Sequence, residues 1–238
     1  MSPSILPTYK RASLAFERGQ GSWLITKDGD RYLDLGAGIA VNALGHSNSE
    51  LVEALTYQAN KLWHVSNLYE IPEQQRLADL LVAKSFAETV FFTNSGTESC
   101  ELAVKMVRKY WYEKGQENRV EIITFEGSFH GRSSAGIAAA GGEKLTKGFG
   151  PMLPGFVHLP WSNHAMIEAA INENTAAILI EPIQGEGGIR CLPDECLKGL
   201  RSLCDKNEIL LVVDEVQCGI GRTGKLFAHE WSEIEPDI

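Results

Sequence analysis

Apolar and polar positions follow two different rhythms along this chain, and the change falls near residue 89. Before it, residues 22–27 and 31–35 read as two strands around an Asp28-Gly29 turn, and Gly36-Ala37-Gly38 breaks the pattern. Ser47-Asn48-Ser49 can cap a helix whose apolar face is Leu51, Ala54, Leu55, Ala59 and Leu62. Pro72 stands where a second helix begins, with Leu77, Leu80 and Leu81 on its face. From residue 89 onward, apolar runs alternate with amphipathic stretches. Residues 89–93, 120–125, 155–159, 176–180 and 209–213 read as strands. Helices are predicted from about 96 to 113, near 164–172, and after Pro193 with Leu197, Leu200 and Leu203 turned inward. Strands that are apolar throughout, alternating with helices, predict an α/β fold with a largely parallel sheet covered on both faces. The division expected is an N-terminal segment, 1–65, with a hairpin and first helix, followed by a large α/β domain, 66–238.

Composition narrows the classes. The 238 residues are 44% hydrophobic and 22% charged, an ordinary globular balance that excludes disordered, collagen-like and coiled-coil chains. Lys and Arg total 22 against 31 Asp and Glu, a net charge of −9, and no basic run exceeds Lys10-Arg11. Nucleic acid and anionic membranes are therefore not expected as partners. No run approaches the roughly eighteen apolar residues of a membrane span, and the N-terminus lacks signal-peptide order, so a cytoplasmic protein is expected. The five cysteines contain no C-x-x-C pair, and no metal-ligand pattern accompanies them. Buried, reduced cysteines and no metal are the expectation.

In a parallel sheet, ligands bind outside the carboxyl ends of the strands. Those ends hold most of the chain's unusual polar density. Ser95, Gly96 and Thr97 follow the first predicted strand of this region; Phe129, His130 and Arg132 follow the second. Glu181, Gln184 and Glu186 follow Ile180, and Asp214, Glu215 and Gln217 follow Val213. Ser95-Gly96-Thr97 enters a helix, so its backbone N–H groups and hydroxyls make either a phosphate cradle or a plain N-cap. Asp214 ends an apolar strand and needs a partner, either Arg222 or the cationic ring nitrogen of a cofactor. Gly219-Ile-Gly221-Arg-Thr-Gly224 matches G-x-G-x-x-G, but Asp214, Glu215 and Gln217 intervene between strand and glycines, which weighs against a dinucleotide loop. Glu181, Glu186 and Asp214 could suggest a glycosidase pair or a metal cluster, yet no sugar-stacking or metal-ligand pattern goes with them.

Four ordered segments carry a resemblance. Asn94-Ser-Gly-Thr-Glu98, Ser128-Phe-His-Gly-Arg132, Glu181-Pro-Ile-Gln-Gly-Glu-Gly-Gly188 and Asp214-Glu-Val-Gln-Cys-Gly-Ile-Gly-Arg-Thr-Gly224 resemble the class III aminotransferases, from about residue 8 to the last. The resemblance implies the type I fold of pyridoxal-phosphate (PLP) transferases, that of aspartate aminotransferase, with PLP as cofactor. It implies that Gly96 and Thr97, with Ser95, hold the cofactor phosphate, that Phe129 stacks on the ring, and that Gln217 lies near its phenolic oxygen. Asp214 would bond the ring nitrogen and keep it protonated. Arg132 would grip a substrate carboxylate, and Glu186 would help the site alternate between an ω-amino donor and glutamate. His130 could shape the pocket, or pack and hydrogen-bond.

The amino donor implied is N2-acetyl-L-ornithine, with 2-oxoglutarate as acceptor, because Gly38 leaves room for an acyl group where ornithine-specific members carry a tyrosine. Ornithine, succinylornithine, succinyl-diaminopimelate and 4-aminobutyrate stay open as alternatives. The resemblance further implies a homodimer acting in arginine biosynthesis. One departure stands out. The family's Schiff-base lysine lies beyond a Pro-Asp-Ile-like stretch, and this chain stops at Pro236-Asp237-Ile238, while Lys225 sits where the family has no catalytic residue. A lysine-less, inactive piece or a binding module is therefore the rival expectation.

Overall fold

The computed structural model describes residues 4–161 and 164–238, which form two compact units, the first ending at Glu70 and the second running Ile71–Ile238. In the first unit, β1 (Phe16–Gln20), β2 (Trp23–Thr26) and β3 (Arg31–Leu33) make an antiparallel meander in sequence order. The short helical turn α1 (Ala37–Ala40) has positive φ at Ala37, Gly38, Ile39 and Ala40, so it winds left-handed. Helix α2 (Ser49–Ala59) begins at Asn48, whose side chain accepts the N–H groups of Glu50 and Leu51. The cap matches expectation, but the predicted inward face does not. Leu51 and Leu55 are 54% and 71% exposed, because nothing within this unit covers that face.

The second unit contains α3 (Pro72–Lys84), α4 (Gly96–Glu113), β4 (Glu121–Phe125), α5 (Ser134–Ala140), α6 (Glu143–Thr146), β5 (Phe156–Leu159) and α7 (His164–Ala170). Then come β6 (Thr175–Ile180), β7 (Ile183–Gln184), β8 (Arg190–Cys191), α8 (Asp194–Asn207), β9 (Leu210–Val213) and a 3-10 helix, Ala228–Ser232. The sheet order is β5-β4-β6-β9 with every pair parallel. Side chains alternate between two cores, as the strand period requires. Ile123, Ile178 and Leu211 pack with Leu197, Leu200 and Cys204 of α8. Ile122, Ala177, Leu179 and Val212 pack with Val104, Val107 and Trp111 of α4. Trp111 Nε1 also donates to the Ala176 carbonyl at 2.9 Å, which ties α4 to β6.

Three expectations need correction here. Residues 89–93, predicted as a strand, pair with no strand among the described residues. The outer side of β9 is instead bonded by the chain's own last residues, through Asp237 N–H to the Leu211 carbonyl and Val213 N–H to the Ile238 carbonyl, both 2.9 Å. Leu77 and Leu80 of α3 are 46% and 51% exposed while Leu81 is half-buried, so most of that predicted face is also uncovered. All five cysteines are free thiols, but only Cys100, Cys204 and Cys218 are buried. Cys191 is exposed because β8 belongs to a separate two-stranded ribbon outside the main sheet. Among the described residues, no helix is long and apolar enough to cross a membrane.

Candidate active site

Parallel strands carry their following loops to one end of the sheet, and the polar residues that end β4, β6 and β9 meet there. Glu181 directly follows β6 and Asp214 directly follows β9, held together by an Asp214 N–H to Ile180 carbonyl bond of 2.8 Å. The turn after β4 brings Phe129 and His130 to both. The Phe129 N–H donates to Glu181 Oε2 at 3.0 Å, and His130 Nδ1 donates to Asp214 Oδ2 at 2.8 Å.

Asp214 is a buried carboxylate with its side chain 6% exposed. Burial pushes such a group up, but the His130 imidazole, through its hydrogen bond and charge, and the Val216 N–H outweigh it and hold Asp214 below the ordinary carboxylate range. A carboxylate can only accept, so the His130 nitrogen facing it carries the proton. His130 Nε2 is buried and has no hydrogen-bond partner among the described residues. His130 thus hydrogen-bonds, one of the two roles left open for it, and Asp214 draws its partners from His130, Cys100 and Val216.

Glu181 responds in the opposite direction. Burial raises it to about 7, against weaker lowering by His130 and the Phe129 N–H. A carboxyl raised on folding stabilises the fold fully below its unfolded value of 4.5, and that contribution is lost as pH rises through about 7. The loss is on the order of 3 kcal/mol. Glu181→Gln, which keeps an acceptor for Phe129 but cannot ionise, is therefore expected to gain stability over the parent protein between pH 5 and pH 8. Denaturant unfolding at the two pH values checks this, and parallel curves would contradict it.

The N-terminus of α4 lies beside Asp214. Ser95 Oγ accepts the Glu98 N–H at 3.2 Å, so the N-cap reading holds for this side chain, while its own O–H stays available to donate. The N–H groups of Gly96 and Thr97 fall in the first turn, where no intrahelical acceptor exists. A Cβ at Gly96 would run into the Val216 side chain, so only glycine lets the helix start approach the loop after β9. Thr97 Oγ1 accepts the Arg132 N–H at 3.3 Å. The Arg132 guanidinium lies 5.9 Å from the centre of the half-buried Phe129 ring.

Gln217 packs against Gly185, where a Cβ would overlap its amide, so the loop after β9 meets the turn carrying exposed Glu186. That turn is anchored by Arg190, which donates to Gln184 Oε1 and, at 3.0 Å, to the Glu126 carbonyl. Gly38 belongs to the first unit; its φ of +65° suits glycine, and an added Cβ would meet only Asn42 Nδ2, at 3.3 Å. The 219–224 glycines lie in turns that lead to the five-residue 3-10 helix, so no α-helix N-terminus follows them. Lys225 Nζ donates to the Glu230 carbonyl at 3.3 Å and lies 4.9 Å from the centre of the Trp231 ring.

Cys100 was not legible as a site residue. Its Sγ donates to Asp214 Oδ2 at 3.2 Å. The one available signal was its place four residues after Gly96, which puts both on the same face of α4.

The Gly96 and Thr97 N–H groups, without an acceptor among the described residues, and a buried, ionised carboxylate thus stand on neighbouring segments, an arrangement that suits a ligand anionic at one end and cationic at the other. The chain belongs to the class-III aminotransferase family, whose profile matches residues 6–238. It is 71% identical over its whole length to an acetylornithine aminotransferase of Rhodobacter capsulatus, of which it covers 61%. Among solved structures it resembles the N-acetylornithine aminotransferase of Stenotrophomonas maltophilia K279a, with a TM-score of 0.83 and 41% identity over 95% of this chain and 57% of that one. It also resembles the ornithine aminotransferase of Toxoplasma gondii, which carries PLP at partial occupancy in its active site. The TM-score there is 0.91 with 29% identity, over 98% of this chain and 56% of that one. The parallel sheet flanked by helices is thus the aminotransferase fold, and the chain spans about three-fifths of the length of these relatives.

Proposed function

We propose that a polypeptide carrying this chain transfers an amino group between N2-acetyl-L-ornithine and 2-oxoglutarate, with PLP as cofactor. The observation that carries the reading is the clamped Asp214 carboxylate beside the open N–H groups of α4. The site fits PLP in charge at both ends: helix N–H groups suit a phosphate, and a buried anion suits a protonated pyridine nitrogen. When bound, PLP supplies an electron sink for the pair released at the substrate carbon.

The chain's own residues hold and orient. Gly96, Thr97 and the Ser95 hydroxyl would hold the phosphate, with Phe129 and Gln217 holding the ring. Asp214 would keep a proton on the ring nitrogen. Arg132 binds the substrate carboxylate through a planar fork, Glu186 assists the exchange of donor for glutamate, and Gly38 leaves space for the acyl group. Lys225 lies where the family pattern has no catalytic residue and its ammonium is engaged with Glu230 and Trp231, which supports the proposal that the 238-residue chain alone is inactive. The reading extends, as a further proposal from the sequence and its family resemblance, to a cytoplasmic homodimer serving arginine biosynthesis.

The test compares amino donors on the full-length polypeptide supplied with PLP. Acetylornithine is expected to exceed ornithine and 4-aminobutyrate in kcat/KM by at least about tenfold. Arg132→Lys should lower kcat/KM about ten- to a hundredfold for both acetylornithine and 2-oxoglutarate while PLP stays bound. A preference for ornithine, or no transamination with PLP bound, would overturn the assignment.

A further inference from the structure

The two oxygens of Asp214 have different surroundings. Oδ2 accepts twice, from His130 Nδ1 at 2.8 Å and from Cys100 Sγ at 3.2 Å. Oδ1 accepts the Val216 N–H at 3.1 Å and no other group among the described residues. Each oxygen of an ionised carboxylate has about two lone-pair sites, so Oδ2 is filled and Oδ1 keeps one.

The thiol acts here only as a donor. Burial first, and then the adjacent Asp214 charge, push Cys100 far above the ordinary thiol range, so it stays protonated. Cys100, His130 and Asp214 place their polar atoms within 4.8 Å of one another, a grouping that could also hold a metal ion. The contacts are those of hydrogen bonds instead. A tetrahedral ion with bonds of about 2.0 Å would hold nitrogen and oxygen about 3.3 Å apart, whereas His130 and Asp214 meet directly at 2.8 Å.

We propose that Cys100 is a positioning residue for Asp214: with His130 it closes Oδ2, so that Oδ1 alone offers a lone pair to the ring nitrogen of the cofactor. The proposal rests on the PLP reading and deepens it. A single helix then serves both ends of the ligand. The first turn of α4 presents Gly96 and Thr97 to the phosphate, and one turn later Cys100 aims the carboxylate at the ring. A thiol suits this work because it is a weak donor, which fixes direction while drawing little charge from the carboxylate.

The test titrates the full-length apoprotein, with Cys100 intact, as Cys100→Ala and as Cys100→Ser, using PLP and its 1-deaza analogue, in which a C–H replaces the ring nitrogen. Cys100→Ala is expected to weaken PLP binding about three- to tenfold more than binding of the analogue. Cys100→Ser, which keeps a donor, should recover at least half of that loss. Equal weakening of both ligands, or no recovery with serine, would overturn the proposal. Failure of the unmodified protein to bind PLP would instead overturn the cofactor reading beneath it. Should Cys100→Ala not fold, the Raman S–H band of the apoprotein, taken as its difference from Cys100→Ser, decides. A band lowered by donation supports the proposal, and a band at the free-thiol position refutes it.

Discussion

Asp214→Asn in the full-length polypeptide is expected to lower kcat by at least about a hundredfold, far more than its modest cost in stability. The magnitude is that of removing a preorganised charge partner from a water-poor site. The reason for the asymmetry lies in the geometry. The amide oxygen still accepts from His130, so the buried hydrogen bond at 2.8 Å can be kept, but a neutral side chain would not hold the proton proposed for the ring nitrogen. Folding loses an anion that His130, Cys100 and the Val216 N–H favour over burial, and with the amide oxygen kept on His130 the amide nitrogen meets the Val216 N–H in place of an acceptor, a cost of about 1–3 kcal/mol. Steady-state kinetics and denaturant unfolding on the same preparation separate the two effects. Near-normal turnover would remove Asp214 from its assigned role.

Gly136→Ala is expected to damage the site from a position that touches no ligand. Gly136 is buried in α5, and a Cβ there would sit 2.5 Å from the His130 carbonyl oxygen and 3.0 Å from the Gly131 carbonyl carbon. Both are backbone atoms that cannot swing aside, so either α5 or the 130–131 turn must move. Overpacking of this kind costs about 1–3 kcal/mol of stability. Because His130 bonds Asp214, the same shift should weaken PLP binding by at least about tenfold. Unfolding midpoint and PLP affinity are the readouts. An unchanged affinity would mean that the turn is free to adjust and does not position His130.

The parallel sheet and its helices were legible because β4, β6 and β9 are apolar on both faces and because Leu197 and Leu200 repeat at helical spacing. Residues 89–93 share that apolar character, yet a strand exists only where a neighbour bonds it, and pairing is not written in one segment's composition. The exposed faces of α2 and α3 show the same limit, since periodicity identifies an apolar stripe but not what covers it. In the site, the strand-end rule collected Glu181, Asp214 and His130 before any contact was known. It could not rank them. Glu181 and Asp214 are both acidic residues at strand ends, but one is raised to about 7 by burial and the other is held low by a histidine. That difference comes from packing across 52 and 84 residues of sequence, through Phe129 and His130. Cys100 was invisible for a related reason, because a lone cysteine in a helix carries no pattern until its partner is placed 114 residues away.

The role proposed for Asp214 is to hold a proton on the ring nitrogen of PLP. The measurement closest to it is the 15N NMR shift of ring-labelled PLP bound to the full-length enzyme. A protonated nitrogen is expected across neutral pH in the unaltered protein and an unprotonated one in Asp214→Asn. An unprotonated nitrogen in the unaltered protein, or a protonated one in both, would contradict it.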